Sequence, residues 1–318
     1  MNNCYHFAVD IGNSFCKFAC FAFHSDSRKN RNPLLSVCVE TSSHFDDLAL
    51  WLKELDESLN DKTAFLWIVS SVNQKKYNSF AFWMKQNRPQ DIVHLLTISE
   101  IPMTFRYDDP QKLGMDRAIA AFGASLIIKK DVSFFVVDVG TATTIDYIDS
   151  FGIFCGGAIL PGPEIAIQAL MERTEKIALF VNKTEINNKS NSFFPATNTQ
   201  NAIQTGINSS LVGAVFSSYV KMVAQNIKIG QLNQKGMKSK ESLKPAKQID
   251  SSISIPFPSI VITGRAGYSL EDQLGSLFSE VALLNQQQYF SPEIKYCPDL
   301  ILTTLSTLAR KLFSFQSD

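Results

Sequence analysis

The sequence predicts an α/β protein of two related halves, each a mixed β-sheet flanked by helices. Two observations predict it. One unit occurs twice: a short apolar strand ending in Asp-x-Gly and a polar residue, followed by a second strand. It reads Phe7-Ala8-Val9-Asp10-Ile11-Gly12-Asn13-Ser14, and again Phe135-Val136-Val137-Asp138-Val139-Gly140-Thr141-Ala142. The order of elements then restarts at the second copy, 128 residues on. A repeat of that length fits a duplicated domain rather than a short-period solenoid.

The elements follow from pattern and punctuation. Residues 5–10 and 15–23 are rich in Phe, Val and Ala and flank a turn with Gly and Asn, so they read as paired strands. Leu35–Glu40 reads as a third strand. Phe45–Leu59 carries apolar residues near helical spacing. Ala64–Ser71 reads as a strand, Tyr77–Gln86 as a helix and Val93–Leu96 as a short strand. Asp116–Lys129 reads as a helix whose inner stripe is Ala118, Ala121, Phe122, Ser125 and Leu126. The second copy repeats the start, with strands at Ser133–Val137, Thr143–Asp149 and Ile153–Leu160. Pro161-Gly162-Pro163 then signals a helix start, giving Ile165–Lys176. Asn201–Ile227 reads as a long helix, Ser259–Thr263 as a strand ending at Gly264, and Pro298–Phe313 as a closing helix. Asn182–Ser192 and Lys235–Pro256 are polar and read as surface insertions.

Composition excludes some classes. The chain has 318 residues, 45% hydrophobic and 19% charged, an ordinary globular balance. Thirty basic and thirty acidic residues cancel, which argues against a broad nucleic-acid surface. Six cysteines (Cys4, Cys16, Cys20, Cys38, Cys155 and Cys297) form no Cys-x-x-Cys pair and read as buried thiols of a reducing compartment. Asp10, Asn13 and Lys17 interrupt the apolar N-terminus, so neither a signal peptide nor a membrane span is expected there, and a cytoplasmic protein is.

The first turn suits a phosphate site. Gly12 permits close backbone approach, and Asn13, Ser14 and Lys17 supply donors. Asp10 can hold magnesium, which takes one or two protein carboxylates and phosphate oxygens. The second turn adds Asp138 and the hydroxyls of Thr141 and Thr143. Neither turn is a Walker loop or a dinucleotide fingerprint. Between them, Leu113-Gly114-Met115-Asp116-Arg117-Ala118 opens the linking helix. Asp116 reads either as an N-cap or as a carboxylate that accepts a hydroxyl proton, with Arg117 on an anionic substrate group.

Six motifs in order resemble the type III pantothenate kinases of the actin-like ATPase and sugar kinase superfamily. They are Asp10-Ile-Gly-Asn-Ser14, Leu113-Gly-Met-Asp-Arg117, Asp138-Val-Gly-Thr-Ala-Thr143, Gly156-Gly-Ala-Ile-Leu-Pro-Gly162, Asn198-Thr199 with Ala202-Ile-Gln-x-Gly206, and Val261-Ile-Thr-Gly264. The resemblance implies two duplicated ribonuclease H-like (actin-like ATPase) domains, taken as residues 1–112 and 113–318, the latter with a polar insertion near 235–256. It implies ATP-dependent phosphorylation of pantothenate to 4'-phosphopantothenate, the first step of coenzyme A biosynthesis. Asp10, Ile11, Gly12, Asn13, Ser14, Phe15, Cys16 and Lys17 would form the ATP phosphate loop, with Thr141 also on ATP. Tyr107, Gly114, Met115, Asp116, Arg117 and Thr199 would contact pantothenate, with Asp116 as the catalytic proton acceptor. Asp138 would hold a monovalent cation, K+ or NH4+, and Asp10 the Mg2+ that accompanies ATP. The resemblance also implies a homodimer. Ser14, Met115, Ala196 and Arg265 depart from the family's usual residues. A second reading is a non-catalytic ATP-binding accessory or regulatory protein of the same family. A third is a superfamily kinase acting on a sugar or acetate; the Cys/His zinc cluster of the repressor-like sugar kinases is missing from the sequence.

Overall fold

The computed structural model describes residues 4–23, 33–40, 48–53, 64–174, 177, 194–238, 257–264, 267–284 and 292–313. The chain divides into two compact units. One comprises Met1–Ile127 with Asp299–Asp318, the other Ile128–Pro298.

The first unit opens with the hairpin β1 (Cys4–Ile11) and β2 (Phe15–Phe23), and β3 (Leu35–Glu40) adds antiparallel to β2. β4 (Leu66–Ser71), α1 (Gln74–Asn87) and β5 (Ile92–Leu95) follow, then the two-residue strand β6 (Thr104–Phe105) and α2 (Met115–Ser125). β4 lies parallel to β1 and β5 parallel to β4, giving the order β3-β2-β1-β4-β5. Alternation along the strands sorts the two faces. Phe7, Val9, Ile11, Cys16, Phe18 and Cys20 turn into one core with Trp67, Val69, Phe80 and Met84. Phe7 stacks on Trp67 at 4.1 Å. The alternate residues His6, Ala8 and Asp10 face the other way. There the C-terminal helix α6 (Leu300–Phe313) returns, and His6 Nε2 is hydrogen-bonded to Ser306 Oγ at 2.8 Å.

The second unit repeats this plan. β7 (Phe134–Val139), β8 (Ala142–Ile148) and β9 (Ile153–Pro161) form an antiparallel meander. β10 (Ser259–Thr263) lies parallel to β7, and β11 (Ile294–Tyr296) parallel to β10. Within the unit the order is β9-β8-β7-β10-β11, element for element the order of the first sheet. Helices α3 (Pro163–Arg173), α4 (Thr199–Lys238) and α5 (Tyr268–Leu284) complete it. Val137, Val139, Ile145, Ile260 and Ile262 pack against Leu211, Val215 and Tyr219 of α4 and Leu274 and Phe278 of α5. Among the described residues no helix is long and apolar enough to cross a membrane.

The duplicated α/β fold expected from the sequence is present, with several differences. The compact units do not divide at 112/113. α2 packs on α6, and α6 packs on β1, so the Gly114–Arg117 segment belongs with the first unit. α2 stops at Ser125, short of Lys129: Ser125 Oγ donates to the Phe122 carbonyl at 2.6 Å, and Leu126, expected inside, is 40% exposed. α5 and β11 were not anticipated. Of the expected helix at Phe45–Leu59, residues 48–53 are helical and the rest lies outside the described residues. Asn182–Ser192 also lies outside them, as does Lys235–Pro256 beyond the end of α4 at Lys238. Of the thiols expected to be buried, Cys16 and Cys20 are, whereas Cys38 on the outer strand β3 is exposed.

Candidate active site

The first acidic turn is built by strand register. Asp10 stands beside Lys17 on β2 and Ser70 on β4, so the three side chains share the face opposite the Phe7–Phe80 core. Asp10 and Ser70 are buried. Gly12 N–H donates to the Phe15 carbonyl at 2.9 Å and closes the turn, leaving Asn13 exposed at its tip.

Two residues absent from the sequence reading hold that tip. Asn73, the N-cap of α1, donates from Nδ2 to Asn13 Oδ1 at 3.2 Å, while its own Oδ1 accepts the Lys76 N–H at 3.1 Å. Lys76 Nζ donates to the Asn13 carbonyl. An Asn three residues ahead of a Lys at the start of an amphipathic segment was the available signal.

Asp116 lies in the first turn of α2. It is not the N-cap residue; Gly114 is, with no side chain to cap the helix. The Arg117 N–H donates to Asp116 Oδ1 at 2.8 Å. A Cβ on Gly114 would stand 2.6 Å from that oxygen, so glycine makes room for the carboxylate. Burial raises the Asp116 carboxyl above its ordinary 3.8, against the opposing pull of the Arg117 N–H and the charges of Arg117 and Lys17. The Lys17 charge acting on Asp116 ties the phosphate turn to the head of α2 within one unit. The Arg117 side chain is buried, with its guanidinium 5.9 Å from the centroid of the Tyr107 ring, a cation–π distance. Tyr107 is exposed.

Of the other expected residues, Ile11, Ser14, Phe15, Cys16 and Met115 belong to the first unit, and Asp138, Thr141 and Thr199 to the second. Asp138, one residue before the end of β7, has Thr263 of β10 and Thr144 of β8 beside it. Gly264 follows Thr263 with φ +89°, a left-handed conformation that favours glycine. A Cβ there would lie 2.4 Å from the Val139 carbonyl oxygen and 2.7 Å from Asp138 Oδ1. The Asp138 carboxylate and the Val139 carbonyl therefore pack so closely on the Gly264 backbone that no side chain fits there. Thr141 is half-buried, and the Gly162 N–H donates to its carbonyl at 3.0 Å. Thr143 is wholly buried, on the side of β8 that faces the core with Val139, and is not presented to phosphate. Thr199 is exposed at the start of α4, where Asn198 Oδ1 accepts the Asn201 N–H at 2.8 Å. Arg265 lies outside the described residues. Among the described residues no cluster of three or more His, Cys, Asp or Glu could hold a metal ion. The lone Asp10 carboxylate suits magnesium only in the form that takes its other ligands from phosphate and water.

The type III pantothenate kinase family profile matches residues 6–221. A type III pantothenate kinase of Geobacter sulfurreducens is 37% identical over 124 residues, covering 39% of this chain and 46% of the relative. One of Albidiferax ferrireducens is 33% identical over 217 residues, covering 65% of this chain and 76% of the relative. The chain thus spans about half the length of the first curated relatives it matches. Among solved structures, a putative 2-dehydro-3-deoxygalactonokinase of Sinorhizobium meliloti is similar at TM-score 0.47 and 13% identity, covering 97% of this chain and 99% of that one. With its profile match running from β1 into α4 and through both acidic turns, the chain belongs to the type III pantothenate kinase family.

Proposed function

We propose that the protein transfers the γ-phosphoryl group of ATP to the primary hydroxyl of pantothenate, giving 4'-phosphopantothenate and ADP, the entry to coenzyme A. The observation that carries this reading is the head of α2, where a carboxylate with a raised pKa stands in the electrostatic field of the phosphate turn's lysine. Phosphoryl transfer asks the protein mainly for positioning and charge neutralisation. Asp10, Gly12, Asn13, Ser14 and Lys17 cradle the ATP phosphates. Asp116 Oδ1 is taken by the Arg117 N–H, so Oδ2 orients the pantothenate hydroxyl and receives its proton as the new P–O bond forms. Its raised pKa suits a base that must accept that proton late in the transfer. Arg117 and Tyr107 form the acceptor side, with the guanidinium on the pantothenate carboxylate. Thr141 contacts ATP, and Thr199 pantothenate.

Asp10 would hold magnesium, which supplies neutralisation of the phosphate oxygens when bound. Asp138 and the Val139 carbonyl beside Gly264 would hold a monovalent cation, K+ or NH4+, which offsets charge near the transferring group. Family membership also supports a cytoplasmic homodimer.

The test is ADP release from MgATP, with and without pantothenate and with and without potassium. Release that requires pantothenate and rises with potassium is the expected result. A folded protein that binds ATP but turns none over with pantothenate would sink this reading in favour of an accessory ATP-binding role.

A further inference from the structure

We infer that Lys76 is a second cation of the nucleotide site, a positioning residue that shapes the first acidic turn and meets phosphate charge when nucleotide binds. The inference rests on the reading that this turn receives ATP phosphates.

Lys76 sits in the first turn of α1, a 14-residue helix with no acidic residue in that turn. A cation there opposes the helix dipole, which costs stability. Something must offset that cost. The Asn13 carbonyl does so in part, by accepting from Lys76 Nζ. Asn73 completes the hold, gripping the Asn13 side chain and capping the helix at Lys76 N–H. The Lys76 charge is also felt by the Cys16 thiol, past the tip of the turn. The turn is thereby flanked by two lysines. Lys17 stands in register with Asp10 and acts toward Asp116, whereas Lys76 acts on Asn13. A neutral donor would serve to hold a carbonyl. A cation in a first turn that holds no acidic residue makes a positive site whose fitting occupant is an anion, and polyphosphate is the anion this turn is read to take. The neighbouring Lys75 is exposed and makes the internal control.

The experiment is calorimetric titration of the full chain with MgADP, at low and high ionic strength, for wild type, K76Q, K76R and K75M. K76Q keeps a donor for the Asn13 carbonyl and removes the charge. K76Q should bind MgADP about tenfold more weakly, a change of about 1.4 kcal/mol, with K76R within about threefold of wild type and K75M unaffected. The K76Q affinity should also depend less on salt, because one screened attraction is gone. In turnover, K76Q should raise KM for ATP more than it lowers kcat and leave KM for pantothenate in place. Equal MgADP affinity for wild type and K76Q overturns the inference, as does a wild type that binds no MgADP. So does a K76Q loss that K76R fails to rescue and that accompanies a fall in Tm, since that marks a structural lysine. A wild type that binds MgADP through Lys76 yet shows no pantothenate-dependent turnover upholds this inference and refutes the proposed reaction.

Discussion

Gly123 lies in α2, the helix that presents Asp116 and Arg117, where α2 meets α6. Replacing it with alanine sets two effects against each other. Alanine is the better helix former by about 1 kcal/mol, which favours the variant. The contact disfavours it: the new Cβ would stand 2.0 Å from Thr304 Oγ1 and 3.1 Å from Leu300 Cδ1. Thr304 is buried and donates to the Leu300 carbonyl at 2.6 Å, so its hydroxyl cannot swing away without losing a buried hydrogen bond. Overpacking costs about 1–3 kcal/mol and the lost bond about 1 kcal/mol. The contact therefore outweighs propensity, and Gly123→Ala should destabilise by about 1–3 kcal/mol. At about 2–4 °C per kcal/mol, Tm should fall by several degrees. Thermal and denaturant unfolding measure it, and kcat/KM should fall as well, since a shift of about 1 Å at a catalytic carboxylate can cost about 10²-fold. Thr304→Ala in the same chain should recover most of the loss, which a double-mutant cycle would show as coupling between the pair. A Gly123→Ala protein as stable as wild type would refute the claim that this crossing is set by glycine.

Asp116→Asn should lower kcat by about 10²–10⁴-fold, or about 2.7–5.5 kcal/mol of barrier, while wild-type activity should fall as acid protonates the carboxyl at a pH above 3.8. A carboxyl whose pKa is raised by folding contributes stability below 3.8 and loses it as pH rises through the folded value. Asp116→Asn should thus be the more stable protein at neutral pH, with the advantage shrinking in acid; a Tm series against pH checks both sign and window. His6 has the opposite sign: burial, with the Arg310 charge adding, lowers it from 6.5 to about 3, so its contribution is present above 6.5 and is lost as pH falls toward 3. His6→Gln should flatten that part of the stability curve, read by denaturant midpoints across the same range. Gly264→Ala should force the oxygens of Asp138 and Val139 apart and abolish potassium activation, leaving a turnover that no longer responds to the cation.

How much was legible follows from where each signal lies. Both hairpins could be read because apolar strands and Asp-x-Gly turns are local patterns, and they appear where expected as β1–β2 and β7–β8. α5 and β11 were missed although the repeat itself demanded them. α1 and β5 follow β4, so a helix and a strand had to follow β10. Leu270, Leu274 and Phe278 form the buried stripe of that helix, but Gly275 interrupts its helical propensity, and β11 is only three residues long. Asp116 could be singled out by its place at a helix start. Its neighbourhood could not, because Lys17 reaches it through sheet register and the fold, across a separation that no window of sequence spans.

The same repeat shows why two equivalent turns need not do equivalent work. Asp10 pairs in register with Ser70, and Asp138 with Thr263, so Ser71 and Gly264 occupy matching positions just beyond. Ser71 Oγ accepts the Asn73 N–H at 3.1 Å and donates to the Asn73 carbonyl at 3.0 Å, which sets the N-cap of α1 and brings Lys76 onto the first turn. Gly264 has no side chain to do this. Its left-handed backbone instead draws close to Asp138 Oδ1 and the Val139 carbonyl, with its own carbonyl taking the Tyr296 hydroxyl at 3.1 Å. One difference in the repeat, serine against glycine, thus sets a helix cap and a lysine on one turn and brings two oxygens close against a glycine backbone at the other. This difference follows from the residue just beyond each aspartate's partner on the parallel strand, Ser71 against Gly264, while the acidic turns themselves are nearly alike.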